Sequence, residues 1–322
     1  VQDLYRLDLL SSSSSSRSSS TASTNNSLFV GSGDSYIAGL AAQYFSGSHS
    51  ICCYPIDIIR NPSLIKGRKL YIISISGNTQ ANILAAKIAK KHGASTVTAI
   101  TARSSSRLAE SCDQTIELRY RNTGIVTAGT ISFTTSMIKC ISLSTQLPML
   151  STNLKKLYKD AEKQAEQVMR KVDHKKSSNF GIGSSTSNSN NNRTFFLLGD
   201  GQLYAIAKYG TLKFNEVFGA KALAYPAEEF CHSPLFSIKE VDQAIVLGDD
   251  DGSNRKLSKR LNEEGFPSLY IEFKNTGIEL LLQATFFVQL LVLKLAQKYS
   301  LNTCHFLMNK KLLKMSSDFI YP

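Results

Sequence analysis

The residues best suited to proton transfer lie in one stretch of the chain, 211–235. Glu216 and His232 stand 16 residues apart in it, with Lys213 and Lys221 close by. A carboxylate and an imidazole can together move a proton between neighbouring carbon atoms, because both groups exchange protons in enzyme sites. We place Glu216 in the last turn of an amphipathic helix, and His232 after a short extended segment and a helical turn. Such a pair also occurs by chance, so a second feature is needed to indicate a site.

That second feature is the hydroxyl-rich sequence S-I-S-G-N-T at 74–79, where a strand predicted over 69–76 ends and a predicted helix begins. Its hydroxyl groups belong to Ser74, Ser76 and Thr79. In an open parallel sheet, ligands bind at the carboxyl ends of strands, where the N–H groups of a helix N-terminus attract phosphate. Gly77 permits close approach of the backbone, and Asn78 completes the turn. The turn therefore predicts an uncharged phosphate cradle, with a plain helix N-cap as the alternative.

A glycine-rich turn follows the first predicted strand and adds a further hydroxyl to this edge, because G-S-G-D-S contains Gly33 and Ser35. The corresponding position in the second half of the chain carries three carboxylates, at Asp249, Asp250 and Asp251. Those carboxylates would repel a phosphate. We therefore expect one active site per chain, with phosphate binding from the first half and acid–base groups from the second.

Apolar strands alternate with helices through both halves of the chain, which indicates parallel sheets covered by helices on both faces. The two halves also match residue for residue. The segment 28–41 aligns with 196–209 and pairs two glycines and a tyrosine in each. The fold class expected is α/β, with two doubly wound three-layer αβα domains related by an internal repeat.

Composition marks the expected boundaries. An N-terminal segment, of which 1–10 is expected to form a short helix, and a mobile serine-rich tract cover 1–27. A second Ser/Asn-rich tract ends a helical connection over 151–193. Neither tract can bury a core. The expected domains are therefore 28–150, which binds phosphate, and 194–322, which carries the acid–base residues and a C-terminal tail.

Composition also limits the partners and the cellular location. The six cysteines show no metal-binding spacing, so we expect reduced thiols, no metal and no cofactor in a cytoplasmic protein. Cys52 and Cys53 are expected to be buried residues of a strand. No apolar run reaches the roughly 18 residues of a membrane span. The most apolar window, 280–295, is interrupted by polar residues and predicts a buried helix. The net charge of +12 favours anionic ligands. The basic residues are scattered, which argues against nucleic acid.

Taken together, these motifs resemble the tandem sugar isomerase (SIS) domain family, and in particular the isomerase half of glucosamine-6-phosphate synthase. The family patterns C-G-T-S-Y, S-Q-S-G-E-T and E-x-x-H-G-P-L correspond here to 32–36, 74–79 and 229–235. The family's C-terminal L-A-K-S corresponds to 312–315. The resemblance covers almost the whole chain from residue 28.

The resemblance implies roles for individual residues. Those implied to bind the sugar phosphate are Ser35, Ser74, Ser76 and Thr79. Glu216 would move a proton between C1 and C2, His232 would open the sugar ring, and Lys314 would sit at the carbonyl. Secondary positions are Gly33, Gly77, Asn78 and Glu229. The family also implies a homodimer in which the histidine comes from the neighbouring subunit.

The chain departs from the family pattern at several positions. Ile75 and Asn78 replace a Gln and a Glu of the phosphate motif, and Asn215 replaces a Lys before the catalytic Glu. A Ser and a Lys are missing near 129–131, and Met315 replaces the final Ser. No glutamine-hydrolysing domain precedes these motifs, so we expect that the chain alone is not an ordinary glutamine-dependent synthase.

The function expected is a phosphosugar aldose–ketose isomerase or a glucosamine-6-phosphate deaminase acting on hexose 6-phosphates. A bifunctional phosphoglucose/phosphomannose isomerase and a fructosamine-phosphate deglycase are further enzymatic alternatives. The contrasting class is a regulatory SIS protein that binds a sugar phosphate without catalysis. The missing Ser and Lys favour that class, whereas the retained Glu216, His232 and Lys314 favour an enzyme.

Overall fold

The computed structural model describes residues 27–121, 128–147, 150, 152–174, 193–249 and 252–321. The described residues divide into two compact units, the first made of those within 27–147 with 320–321 and the second of those within 150–319. The segment predicted as a helix at 1–10 and both Ser-rich tracts lie almost entirely outside the described residues. Each unit is built around its own parallel sheet.

The first unit is a five-stranded sheet with the order β2-β1-β3-β4-β5, and every strand pairing is parallel. In chain order its elements are β1 (Ser27–Val30), α1 (Asp34–Ser46), β2 (Ser50–Cys53), α2 (Pro55–Arg60), β3 (Lys69–Ile73), α3 (Gln80–Lys91), β4 (Thr96–Thr101), α4 (Arg107–Ser111), β5 (Gln114–Glu117) and α5 (Ile131–Ser144). Short 3-10 turns occupy Gly47–His49 and Pro62–Ile65.

Helices cover both faces of this sheet, because alternate side chains of a strand point to opposite sides. One core is formed by strand residues such as Leu28 and Ile72, together with Ile83 of α3 and further residues of α2 and α4. On the opposite face α1 packs closely. A Cβ added at Gly39 would lie 2.8 Å from Phe29 Cβ. The α/β class with a parallel sheet is thus confirmed.

The second unit holds a four-stranded parallel sheet with the order β7-β6-β8-β9. Its elements are α6 (Leu154–His174), β6 (Thr194–Leu198), α7 (Gln202–Phe218), β7 (Lys221–Tyr225), α8 (Ala227–His232), β8 (Gln243–Gly248), α9 (Ser253–Glu263), β9 (Ser268–Glu272), α10 (Gly277–Lys298), α11 (His305–Met308) and α12 (Lys310–Ile320). A 3-10 turn at Pro234–Ser237 follows α8.

The core of this unit also has two sides. Phe196, Val246 and Leu261 form a cluster with α8 and α9 on one face, while α10 packs against α6 and α7 on the other. The helix α10 is the one described helix long and apolar enough to cross a membrane, but 78% of its apolar window is buried inside the fold. That burial is typical of a core helix, as the sequence predicted.

Three features differ from the sequence expectations. The strand β3 ends at Ile73, so Ser74 and Ser76 belong to the following turn rather than to the strand. Cys52 and Cys53 do lie in a strand, but β2 is an edge strand and leaves them only half-buried. The helices α2, α11 and α12 were not predicted. The helices α2 and α11 are too short for helical periodicity to be visible, and α12 has no buried residue that would mark an inward face.

Candidate functional site

The hydroxyl groups of the β3–α3 turn come together in the first unit. Ser74 is buried, and its Oγ lies 3.3 Å from Oγ1 of Thr79. The same Oγ accepts a hydrogen bond of 3.2 Å from the N–H of Gly77. Ser76 is half-buried, and its Oγ accepts a 3.3 Å hydrogen bond from the N–H of Asn78. The turn is therefore a compact group of hydroxyl and amide groups at the carboxyl end of β3.

The conformation of this turn requires glycine at position 77. Gly77 has a φ of 65°, in the left-handed region that favours glycine. A Cβ there would lie 2.0 Å from Oγ of Ser106 and 3.0 Å from Oγ1 of Thr101. Any side chain would therefore displace the turn from the segment that supports it.

The segment that joins β4 to α4 supports the turn, because it donates hydrogen bonds to carbonyl groups of the turn. Thr101 is fully buried and donates from Oγ1 to the carbonyl oxygen of Ile75 at 3.2 Å. The N–H of Leu108 donates to the carbonyl oxygen of Gly77 at 2.9 Å. Thr101 and Ser106 are thus positioning residues that the motif comparison missed. Their role depends on packing between segments about 25 residues apart, which a local motif does not record.

The turn leads directly into α3, whose N-terminus is open to a ligand. Thr79 is the N-cap residue, and no side-chain hydrogen bond caps the helix. The first N–H groups of a helix have no partner within the helix and carry partial positive charge. A phosphate seated over the turn would therefore meet both hydroxyl groups and helix N–H groups.

The β1–α1 turn lies at the same edge, because β1 and β3 are adjacent parallel strands. Gly33 has a φ of 58° and precedes α1, and Ser35 is buried in the first helical turn. The N–H of Ser35 donates to the carbonyl oxygen of Ser32 at 3.2 Å. All four predicted phosphate-binding residues are accordingly found in two neighbouring turns of the first unit.

Near the missing Ser and Lys of the family pattern, Gly129 lies close to the β1–α1 turn. A Cβ on Gly129 would lie 3.0 Å from both Oδ2 of Asp34 and Oγ of Ser132. Burial raises the pKa of Tyr120, and a hydrogen bond with Ser132 partly offsets this rise. The backbone at Gly129 therefore approaches the carboxylate of Asp34 at the start of α1 closely.

An ion pair with one buried member lies on α7 in the second unit. Nζ of Lys213 lies 2.6 Å from Oε2 of Glu216, one helical turn away. The Lys213 side chain is only 2% exposed and lies over the ring of Tyr209, whereas Glu216 is 35% exposed. A buried ammonium group needs a compensating carboxylate. Glu216 is thus held by a buried cation and reaches the surface.

The role of Lys213 is a second feature that the sequence reasoning missed. The lysine was noted as a nearby basic residue, but its burial was not expected because lysine is almost never fully buried unless it is paired. The signal available in the sequence was the three-residue spacing between Lys213 and Glu216. Residues three apart on a helix lie on the same face.

His232 is the last residue of α8 and is largely exposed. Its Nε2 lies 3.9 Å from Oε1 of Glu228 on the same helix, and Glu229 is also exposed. Within the described part of the second unit, no hydrogen bond or ion pair joins His232 to Glu216.

Lys314 lies on α12, where its side chain is 76% exposed. Its Nζ forms an ion pair of 2.7 Å with Oδ2 of Asp318, one turn further along the helix. The three predicted acid–base residues therefore lie on three different helices, α7, α8 and α12.

The thiol groups are poor candidates for nucleophiles. All six cysteines are free. Burial raises the pKa of Cys53 and of Cys112 to about 12, and it raises those of Cys52 and Cys140 as well. Among the residues that the structure describes, no group of three or more His, Cys, Asp or Glu side chains is placed to hold a metal ion.

The relatives found by comparison with known proteins include glutamine–fructose-6-phosphate aminotransferases. The glutamine–fructose-6-phosphate aminotransferase of Caldanaerobacter subterraneus subsp. tengcongensis is 29% identical over 244 residues, or 73% of this chain. The chain spans only 39% of the length of that relative. No protein-family model matches the chain.

Two solved structures share the fold. Glucosamine-6-phosphate deaminase of Thermotoga maritima aligns with a TM-score of 0.67 at 20% identity, covering 85% of this chain and 86% of its own. The C-terminal domain of glucosamine-fructose-6-phosphate aminotransferase from Francisella tularensis aligns with a TM-score of 0.64 at 21% identity, covering 88% and 87%.

The two parallel sheets with their covering helices share the fold of these solved structures. By sequence, the chain is homologous to the isomerase half of glutamine–fructose-6-phosphate aminotransferase, as its motifs predicted. The resemblance stated from the sequence is confirmed.

Proposed function

We propose that the protein acts on a hexose 6-phosphate, either as an aldose–ketose isomerase or as a deaminase of glucosamine 6-phosphate. The observation that carries the proposal is the Glu216 carboxylate, held at 2.6 Å by the buried Lys213 at the position where the family motif has its catalytic base. The names of the relatives and of the structural neighbours are consistent with this class of substrate. The whole relative's glutamine-dependent reaction is not part of the proposal.

In the proposed reaction, the phosphate group is bound by Ser35, Ser74, Ser76 and Thr79. Hydroxyl groups and helix N–H groups bind a dianion without a bound counter-charge. Gly33 and Gly77 allow the backbone to approach the phosphate, and Asn78 supports the turn. Binding the phosphate fixes the sugar, so that C1 and C2 are presented to a single base.

Glu216 then removes a proton from one of these two carbons and returns it to the other. The C–H electron pair moves into a C1–C2 double bond while the carbonyl oxygen is protonated, and the reverse movement completes the isomerisation. In this scheme Lys213 orients the Glu216 carboxylate. His232 opens the sugar ring, Lys314 interacts with the carbonyl, and Glu229 is a secondary acid.

The assembly and the location follow from the same resemblance. We propose a homodimer in which His232 of one subunit serves the site of the other, in agreement with the exposure of His232 on α8. We further propose that the two units arose from an internal repeat, and that the protein is cytoplasmic and acts without nucleic acid or membrane.

A regulatory protein that binds a sugar phosphate without turnover is the second candidate. The segment Gly129–Ile131 lacks the Ser and Lys of the family pattern. Lys314 pairs with Asp318 on its own exposed helix face. Both observations favour binding without complete catalytic machinery.

The two candidates separate in a turnover assay. The purified chain is incubated with glucose 6-phosphate, mannose 6-phosphate, fructose 6-phosphate and glucosamine 6-phosphate, and the products are followed by NMR. Conversion of at least one substrate, abolished in Glu216→Gln, supports the enzyme. Tight binding of one compound without conversion of any would replace it with the regulatory function.

A further inference from the structure

Arg107 introduces a positive charge next to the otherwise uncharged turn. It is the first residue of α4, and both of its chain neighbours contact Gly77. A Cβ on Gly77 would lie 2.0 Å from Oγ of Ser106, and the N–H of Leu108 donates to the carbonyl oxygen of Gly77 at 2.9 Å. The backbone of Arg107 is therefore fixed beside the glycine of the cradle.

The side chain of Arg107 extends from this point to the start of α3. Its Nη2 donates to Oε1 of Gln80 at 3.3 Å. Gln80 is the first residue of α3 and directly follows Thr79. The guanidinium group is consequently held at the rim of the helix N-terminus over which a phosphate would sit, with a solvent-exposed face that leaves further N–H donors available.

The charge at this rim differs from that of the family motif. Asn78 stands where the motif S-Q-S-G-E-T has a glutamate, so a negative charge next to the cradle is absent. Arg107 adds a positive charge at the start of α3, where it contacts Gln80. Guanidinium groups bind phosphate oxygens through paired N–H donors, and their charge is independent of pH in the physiological range.

We propose that Arg107 is a specificity-determining residue of the phosphate cradle, anchored by Gln80, which strengthens binding of the phosphate dianion and thereby selects phosphorylated over neutral sugars. This inference rests on the proposed sugar-phosphate function and adds a cationic residue to it. Thr101 and Ser106 hold the turn in place, whereas Arg107 contributes charge.

The test is a comparison of charge-matched variants. Arg107→Gln removes the charge at the rim. Arg103→Gln removes the same charge from an exposed position in the same β4–α4 segment. Arg107→Lys keeps the charge but loses the paired donors. Binding of fructose 6-phosphate, inorganic phosphate and fructose is measured by calorimetry at low and high salt, with thermal unfolding as a check on folding.

We expect Arg107→Gln to weaken binding of fructose 6-phosphate and of phosphate by about 5- to 10-fold, the size of a partly exposed charge-assisted contact. Arg103→Gln should change binding by less than about 2-fold, and Arg107→Lys should recover part of the loss. The loss should shrink at high salt, because screening weakens exposed charges. A purely structural role would not give this salt dependence or the rescue by lysine.

The possible failures are distinguishable. If the wild-type protein binds the phosphorylated compounds and Arg107→Gln binds them equally well, Arg107 is not a specificity residue and the sugar-phosphate function still stands. An equal loss in Arg103→Gln would indicate a general surface charge effect and overturn the assignment to Arg107. If the wild-type protein binds neither phosphorylated compound, the proposed function fails and this inference fails with it.

Discussion

The first βα turn of each unit has the same backbone but different side chains. Gly33 precedes α1 with φ and ψ of 58° and −132°, and Gly201 precedes α7 with 52° and −122°. In the first unit the buried residue two positions later is Ser35, and in the second it is Leu203. The same turn therefore presents a hydroxyl group in one unit and an apolar side chain in the other.

The connections that follow β3 in the first unit and β8 in the second unit also share a backbone feature. Asn82 in the first turn of α3 donates from Nδ2 to the carbonyl oxygen of Ile73 at 3.2 Å. Asn254 in the first turn of α9 donates from Nδ2 to the carbonyl oxygen of Leu247, also at 3.2 Å. In both units an asparagine ties the start of the helix to the end of the preceding strand.

What differs is the group packed against each strand–helix connection. A Cβ on Gly77, within the first connection, would meet the hydroxyl of Ser106, whereas a Cβ on Gly248, the last residue of β8, would meet the ring of Tyr270 at 2.4 Å. Hydroxyl groups suit a phosphate, and an aromatic ring next to Asp249 does not. The comparison teaches that the backbone framework and the chemistry of these turns vary independently, so a shared fold alone does not give two equivalent sites.

The largest effect is expected from the acid–base residue of the second unit. Glu216→Gln should lower kcat by about 10²- to 10⁴-fold, because general acid–base catalysis contributes about that much. The dissociation constant of the sugar phosphate should change by less than about 3-fold, since the cradle lies in the first unit. Steady-state kinetics and calorimetry measure the two quantities.

Glu263→Gln is the matched control for this variant, because it removes a carboxylate from an exposed ion pair on α9 in the same unit. It should leave kcat unchanged. An equal fall of kcat in both variants would show that the ion pair of Glu216 has no special role.

The next largest effect is expected at the cradle glycine. Gly77→Ala places a methyl group against Ser106 at a positive φ, so the free energy of unfolding should fall by about 2 kcal/mol or more and phosphate binding should be largely lost. Gly93→Ala is the control, because Gly93 has a φ of 79° with open space around it. It should lower stability by about 1 kcal/mol and keep binding intact. Urea unfolding of both variants checks this difference, and equal effects would contradict the packing account.

Alanine substitutions in the β1–α1 turn and in the β6–α7 turn should have opposite effects on binding and on stability. Ser35→Ala should weaken sugar-phosphate binding by about 5-fold with little change in stability, since one hydrogen bond contributes about 1 kcal/mol. Leu203→Ala should lower the free energy of unfolding by about 2–4 kcal/mol and leave binding unchanged, because it opens a cavity in the core. Denaturation and calorimetry on both variants provide the readout. Loss of binding in Leu203→Ala alone would reverse the assignment of the two turns.

A smaller effect is expected from Asp113, whose carboxylate accepts a hydrogen bond from the N–H of Val97 near the start of β4. The N–H of Val97 and the ammonium group of Lys90 lower the pKa of Asp113 below its ordinary value of 3.8. A lowered pKa gives stability that is present above the unfolded-state value and is lost as the pH falls through the folded-state value. Asp113→Asn should therefore reduce the pH dependence of unfolding between about pH 5 and pH 2. Chemical denaturation at several pH values tests this, and an unchanged slope would count against it.

The order of strands and helices was largely predictable because apolar periodicity marks each long element. The end of β3 was placed too late, since Ile75 continues the apolar alternation although the chain has already left the sheet. The exposed helix α12 has no buried residue. The pattern of apolar positions in a sequence does not distinguish such a helix from an irregular tail.

The site was predictable where it depends on local motifs and not where it depends on packing. The turn with Ser74 and Thr79 was identified from its own sequence. Thr101 and Arg107 lie about 25 residues away and reach it only through the adjacent strand β4 and the helix after it. The burial of Lys213 likewise follows from the packing of α7, which the sequence does not state.

The most direct test of the account is solvent exchange at the reacting carbons. Hexose 6-phosphates are incubated with the protein in deuterated water and followed by NMR. The account predicts that wild type and Glu263→Gln incorporate deuterium at C1 or C2 of at least one sugar phosphate, and that Glu216→Gln does not. Incorporation at the same rate in Glu216→Gln, or none in the wild-type protein while it binds the sugar phosphate, would contradict it.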